Sequence, residues 1–333
     1  MILNIVIPCY NEEEVIVEAT YQFTNLLKRL IGSGKIARQS RITYIDDGSK
    51  DKTWHLINHL SESNEFVHGI KLSRNRGHQN AVLAGMMSVK GDAIITIDAD
   101  LQDDIEVIEK MVDEYNNGMD IVYGVRSDRS TDTVFKRNTA QLYYKLLALF
   151  GVDMVYNHAD FRLMSRKTIE SLRQYREVNL YLRGIIPLIG FKSTNIEYSR
   201  KERFAGTSKY PFMKMLKLAV EGVTSFSVVP LQMITYIGFI VFIASIGILA
   251  WVLSVALFTN RAVPGWASTL LPIYFLGGLQ ILCLGVMGSY LGKIYIESKS
   301  RPRYFIEQTI GLSPKQNSLE TQRFEQIAEY EQR

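Results

Sequence analysis

Cysteine is nearly missing from this chain: Cys9 and Cys283 are the two in 333 residues. They fall in a predicted strand and a predicted membrane helix, which excludes a disulfide framework and fits a reducing compartment. The glycine-rich nucleotide loops are missing too. Neither G-x-x-x-x-G-K-[ST] nor G-x-G-x-x-G follows the first strand, so neither a P-loop nucleotidase nor a dinucleotide oxidoreductase is supported. The five histidines, His55, His59, His68, His78 and His158, make no zinc-like pattern with cysteine and read as ordinary surface or packing residues. A net charge of +4 is too balanced for a nucleic-acid binder. Residues Met1 to Pro8 lack a charged n-region and a long apolar core, so no cleavable signal is expected.

Charge is also missing locally. None lies between Glu221 and Arg261, or between Arg261 and Lys293. Each stretch exceeds the roughly 20 apolar residues that cross a bilayer, which predicts two transmembrane helices near Leu231–Phe258 and Ala267–Leu291. Lys201, Arg203, Lys209, Lys214 and Lys217 precede the first, and Lys293, Lys299, Arg301 and Arg303 follow the second. The connecting loop has only Arg261. Both termini are therefore expected in the cytoplasm, with the basic flanks against anionic headgroups. From Pro211 to Phe226, Phe212, Met213, Leu216, Val220 and Val223 oppose Lys214, Lys217 and Glu221, as in a helix lying in the membrane interface.

What is present in the first 200 or so residues is alternation. Apolar strands at Leu3–Cys9, Ile42–Ile45, Val67–Leu72, Ala93–Ile97 and Ile121–Tyr123 alternate with helical patterns at Glu13–Ile31, from Lys52, at Asn80–Val89 and at Ile105–Tyr115. This predicts an α/β domain with a Rossmann-like, mainly parallel sheet. Beyond Val125 a helix is predicted over Phe135–Phe150, with short strands at Phe161–Met164 and Lys192–Tyr198. The tail from Ser313 is polar and without periodicity.

Polar clusters sit just after the strands: Tyr10-Asn11-Glu12, Asp46-Asp47-Gly48-Ser49, Arg74-Asn75-Arg76-Gly77 and Asp98-Ala99-Asp100. The carboxyl edge of such a sheet is where ligands bind. Strand alternation points Asp98 and Asp100 to one side, and with Gln102 they offer hard oxygen ligands for Mg²⁺ or Mn²⁺ on a phosphorylated ligand. Acids after a strand also cap helices, as Asp103 and Asp104 could for the next one.

These clusters carry a resemblance. Pro8-Cys9-Tyr10-Asn11-Glu12, Asp46-Asp47-Gly48-Ser49-Lys50-Asp51, Arg74-Asn75-x-Gly77 and Asp98-Ala99-Asp100-Leu101-Gln102 follow the order of family 2 glycosyltransferases with the GT-A fold. Asp160-Phe161-Arg162-Leu163-Met164-Ser165-Arg166, Arg203-x-x-Gly206-x-Ser208-Lys209 and two C-terminal spans resemble the polyprenyl-phosphate branch, and bactoprenol glucosyltransferases in particular. The Gln-x-x-Arg-Trp motif of processive synthases is missing, which argues for transfer of a single sugar. The resemblance implies that Pro8, Tyr10, Asn11, Glu12 and Asp46 or Asp47 line the nucleotide. It further implies that Asp98 touches the ribose or sugar side and that Asp100 and Gln102 ligate the metal.

Under that resemblance the acceptor is a lipid phosphate, already anionic, so positive side chains must bring two anions together. Arg126, Arg129, Arg137, Arg203 and Lys209 are the candidates. Asp160 joins Asp98 and Asp100 as catalytic, positioning the acceptor or assisting the metal site, with a general base the less necessary role. The expected layout is a GT-A catalytic domain over 1–210, an amphipathic helix over 211–229, a transmembrane hairpin over 230–292 and a cytoplasmic tail over 293–333. The expected activity is inverting transfer of one hexose, glucose from UDP-glucose, to undecaprenyl phosphate at the bacterial inner membrane. GDP-mannose or a UDP-N-acetylhexosamine is the alternative donor. A non-catalytic binder of lipid-linked sugars is the alternative class, and a lipid translocase is disfavoured because the spans hold few polar groups beyond Gln232 and Gln280. Gly278, Gly285 and Gly292, with Gly288 and Ser289, leave one stripe of the second span bare. It could pack on the first span, and the resemblance favours a homo-oligomer, expected as a tetramer.

Overall fold

A computed structural model describes residues 1–126, 158–178, 181–199, 229–258 and 266–311. The predicted helices over Phe135–Phe150 and Pro211–Phe226 lie outside these residues, as do Arg129, Arg137, Arg203, Lys209 and the tail from Ser313.

The elements, in chain order, are β1 (Leu3–Cys9), α1 (Ile16–Gly32), β2 (Arg41–Asp46), α2 (Thr53–Ser63), β3 (Val67–Leu72), α3 (His78–Ser88), β4 (Ala93–Thr96), α4 (Val107–Asn116) and β5 (Ile121–Arg126). They continue with β6 (His158–Ser165), α5 (Arg166–Leu172), α6 (Leu182–Leu188), β7 (Ser193–Tyr198), α7 (Val229–Phe258), α8 (Trp266–Ser298) and β8 (Ile306–Ile310). All eight strands join one sheet in the order β7-β5-β6-β4-β1-β2-β3-β8. Its pairs β1/β2, β1/β4, β2/β3 and β5/β7 are parallel, while β6 and β8 run antiparallel to their neighbours.

The sequence dictates this arrangement through burial. β1 is buried at every residue, as an inner parallel strand covered on both faces must be. On α1 the buried residues Ile16, Ala19, Thr20, Phe23, Leu26, Leu27 and Leu30 form a single stripe at helical spacing. The Thr20 hydroxyl meets the Tyr44 phenol at 2.8 Å, so the polar groups beneath the helix satisfy each other. On α3, Gly85 lets the helix approach the sheet, since a Cβ there would run into Val6 and Ile45.

The strand order reverses between β1 and β4, which places a crevice at the carboxyl ends of these two strands. β8 closes the other edge against β3, with Lys71 Nζ 3.2 Å from Glu307 and the Ser73 amide donating to Phe305 O at 3.0 Å.

Two compact units result. The sheet unit includes residues from Pro302 onward, so the chain returns to the sheet after its apolar helices. The second unit contains α7 and α8. Among the described residues one stretch, Leu279–Ser298, is long and apolar enough to cross a membrane, with a mean hydropathy of 1.4. In α7 the corresponding described stretch is the shorter Val229–Val241.

Candidate functional site

Three loops on the β1–β3 side are tied together by short polar side chains bonded to backbone. Asn11, at φ 55°, accepts from the Lys50 amide through Oδ1 at 2.8 Å, while its own amide donates to Ser49 Oγ at 3.0 Å. The Glu12 amide donates to Thr53 Oγ1 at 2.9 Å. Asp47 accepts from the amides of Arg76 (2.7 Å) and Gly77 (2.9 Å), which fixes the loop after β3 onto the loop after β2. Gly48, at φ 70°, lies where a Cβ would stand 2.7 Å from the backbone of Arg74 and Asn75, so only glycine lets these two loops touch.

Asp46 differs from Asp47. Its Oδ1 accepts from the Ser49 amide at 3.1 Å, while Oδ2 is buried with no hydrogen-bond partner among the described residues. Burial raises its pKa, opposed by Ser49. An orphaned carboxylate oxygen at this depth is ready for a donor from a ligand, as a ribose hydroxyl or base N–H would supply. Pro8 is buried in β1 and Tyr10 is exposed beside it. The Cys9 thiol is buried and pushed up by that burial, so it stays protonated and is no nucleophile.

On the β4–β6 side the contacts are between charges. Asp160, on β6, accepts from Arg162 at 2.8 Å and is gripped by Arg183, whose Nε lies 3.2 Å from Oδ1 and NH2 3.0 Å from Oδ2. His78 Nε2 stands 3.5 Å from both Asp160 Oδ2 and Asp98 Oδ1. Arg162 is completely buried between the neighbouring strands, and its Nε and NH1 find no hydrogen-bond partner among the described residues. Burial works against the Asp160 carboxylate, yet Arg183, His78 and Arg162 hold its pKa well below the usual range. A carboxylate so acidic is a poor proton acceptor near neutral pH.

Burial also works against a charged His78, but Asp160 and Asp98 win and push it up to about 9. Asp98 is pushed up to about 6: burial does most of this, His78 opposes it, and the carboxylates of Asp160, Asp103 and Asp100 add to it. Asp100 Oδ1 accepts from the Gln102 amide at 3.2 Å across a turn in which Leu101 takes φ 54°. Among the described residues no three His, Cys, Asp or Glu side chains converge to cage a metal. The donors nevertheless fit a divalent cation of the Mg²⁺ type, which takes one or two carboxylates and completes its shell with ligand phosphate and water. The carboxylate crowding that adds to the burial of Asp98 is the charge such a cation would relieve.

The structure thus brings Asp98, Asp100 and Asp160 to one edge, with the Pro8–Glu12 and Asp46–Asp47 loops across the switch point. Arg126 is the expected cation that lies within the described residues: it stands 3.8 Å from buried Asp103, which accepts from Tyr198 Oη at 2.6 Å. Asp103 therefore braces β7 instead of capping α4, which starts at Val107, while Asp104 accepts from the Glu106 amide at 3.4 Å. His78 and Arg183 are the residues that sequence reasoning missed. By sequence His78 reads as ordinary surface or packing, and its one local signal is its place directly after Arg74-Asn75-Arg76-Gly77.

The model of glycosyl transferase family 2 matches residues 4–173. The uncharacterized glycosyltransferase YkoT of Bacillus subtilis (strain 168) is 50% identical over 310 residues, 92% of this chain and 91% of that protein. The bactoprenol glucosyl transferase of Shigella phage SfV is 43% identical over 310 residues, covering 92% and 98% of the two chains. A glucosyl-3-phosphoglycerate synthase from Mycobacterium tuberculosis, solved with Mn²⁺, UDP-glucose and phosphoglyceric acid, is similar at 14% identity and a TM-score of 0.44, over 67% of this chain and 77% of its own.

Proposed function

This chain belongs to glycosyl transferase family 2, and from that premise we propose that it transfers one glucose from UDP-glucose to undecaprenyl phosphate with inversion. The observation that carries the reading is the match at 43% identity, over nearly the whole of both chains, with a protein named for glucosyl transfer to bactoprenol. The geometry supports it in two places. The orphaned Asp46 oxygen and the laced loops around Tyr10 and Asn11 suit a nucleoside, and the opposed acids and cations beyond β4 suit a reaction between two anions.

In the proposed reaction a phosphate oxygen of the lipid attacks the anomeric carbon, a new C–O bond forms, and the bond from that carbon to UDP breaks with its electron pair leaving on the diphosphate. Asp100 and Gln102 would hold Mg²⁺ or Mn²⁺, which when bound neutralises charge on the departing diphosphate. Asp98 faces the sugar side, and Asp46 with Tyr10, Asn11 and Glu12 holds the nucleoside. Because the attacking oxygen carries no proton to be removed, Asp160 has no base to be and acts by position.

The lipid acceptor sets the membrane side of the proposal. α7 and α8 cross the bilayer as a hairpin, with apolar side chains such as Ile281, Leu284 and Leu291 exposed for lipid. The catalytic sheet and both termini face the cytoplasm, residues 211–229 lie in the interface with Arg129, Arg137, Arg203 and Lys209 near the acceptor, and the glycines of α8 allow a homo-oligomer, a tetramer.

The test is direct. Purified protein in nanodiscs receives radiolabelled UDP-glucose, UDP-N-acetylglucosamine or GDP-mannose with undecaprenyl phosphate. Labelled lipid is expected from UDP-glucose alone, and a chelator should stop it. Transfer from another donor would replace the sugar, while lipid-linked sugar bound without any transfer would make this a binding protein.

A further inference from the structure

Three cationic side chains stand around Asp160. Asp160 faces Arg162, Arg183 and His78, and His78 also faces Asp98. Arg162 is sealed in the sheet and cannot reach a ligand. Arg183 and His78 can: their side chains are 35% and 43% exposed. Asp160 locks Arg183 side-on with both of its oxygens, a geometry that fixes the plane of the guanidinium. A second contact fixes the helix that carries it, since the Leu182 amide donates to Gln79 Oε1 at 3.0 Å. Gln79 follows His78 directly on α3, so one turn of that helix sets both exposed cations.

An anion reaching this edge meets two different surroundings. Around Asp98 and Asp100 carboxylates accumulate, and an anion needs an intervening metal there. Around Asp160 three cationic side chains gather, and an anion meets positive charge directly. His78 bridges the two at 3.5 Å to Asp98 and 3.5 Å to Asp160. A displacement at one carbon brings nucleophile and leaving group from opposite sides, so the two phosphates need separate counter-charges.

We propose that Arg183 and His78, set by Asp160 and Gln79, form the subsite for the attacking phosphate of the acceptor. Asp160 is a positioning residue in this arrangement, and Arg162 is the buried support that keeps it ionised. The proposal rests on the transferase reading above and adds to it which residues of the sheet unit receive the acceptor.

Two measurements on the full-length protein test it: steady-state kinetics, and binding of farnesyl phosphate against farnesol in the absence of metal. Arg183→Gln should raise KM for polyprenyl phosphate about tenfold or more with a smaller change in kcat, while the Kd for UDP-glucose stays within about twofold. Arg183→Lys should fall between, because it keeps the charge and loses the fork. Farnesyl phosphate should bind the wild type, farnesol should bind much more weakly, and Arg183→Gln should abolish the difference. Gln79→Ala, which leaves every charge in place, should raise the acceptor KM about threefold and so covers the case in which Arg183→Gln does not fold. An unchanged acceptor KM, or equal weakening of donor and acceptor, overturns the proposal. Wild-type protein that transfers nothing to any polyprenyl phosphate overturns the transferase reading instead.

Discussion

The two halves of the carboxyl edge are built by different means. From β1 to β3 the loops are held by Asn11, Ser49, Asp47 and Thr53 bonding to backbone amides at 2.7–3.0 Å, and of these four side chains Asp47 alone carries a charge. From β4 to β6 the edge is held by Asp98, His78, Asp160, Arg162 and Arg183, whose attraction depends on ionisation and reaches across 3.5 Å gaps. A hydrogen-bonded frame has one geometry and presents a rigid contour. A cluster of charges presents a potential, and incoming charge can redistribute it. The first kind suits recognition of a flat, uncharged base and ribose; the second suits charge that moves during a reaction.

Substitutions should break the two halves in different ways. Asp100→Ala should cut turnover by roughly a hundredfold or more while the melting temperature holds, because the loss is several kcal/mol of charge stabilisation in the reaction. A well-folded Asp100→Ala enzyme with full activity would remove the acid from the site. Asp160→Ala should cost about 3–5 kcal/mol of folding stability, since it strands the buried Arg162 without its partner. Denaturant titration measures this, and a loss under about 1 kcal/mol would show that Arg162 finds another partner. On the other half, Asp47→Ala removes two charge-assisted bonds to the Arg76 and Gly77 amides. It should cost about 2–3 kcal/mol and raise KM for the nucleotide sugar, with no change in salt dependence.

The smallest effect is a titration. His78 has its pKa raised from about 6.5 unfolded to about 9 folded, so its ion pairing is fully present below pH about 6.5 and is lost as the pH rises through about 9. Imidazole NMR signals of metal-free protein should give a midpoint near 9, and Asp98→Asn should lower it. A midpoint at or below the ordinary value would detach His78 from the charged half.

The hydrogen-bonded half was also the more legible half. β3 runs over Val67–Leu72 as its apolar residues predict, and the polar clusters sit at the strand ends where a parallel sheet must put them. Legibility ended where partners are distant. α3 begins at His78 and not Asn80, because Gly77 at φ 88° turns the chain and leaves the histidine as the first helical residue. Nothing around His78 announces Asp98 or Asp160 as its neighbours. α5 and α6 have seven residues each, too few to show a period. β8 reads Ile-Glu-Gln-Thr-Ile, a polar segment that becomes a strand only because β3 offers an unpaired edge.

That last strand has a consequence for how the molecule is made. Lys71 and Glu307 pair across 236 positions, and everything between them, both apolar helices included, leaves the ribosome before the pair can form. Until then β3 is a bare edge, open to any strand that meets it. The Ser73 amide, one residue ahead of the loop that Asp47 holds, gains Phe305 O as its partner only at the same late moment. Synthesis therefore runs in a fixed order, with the helices first and the finished sheet afterwards. A nascent chain stalled after Ser298 would carry every acid and cation of the site beside an unsealed, aggregation-prone flank.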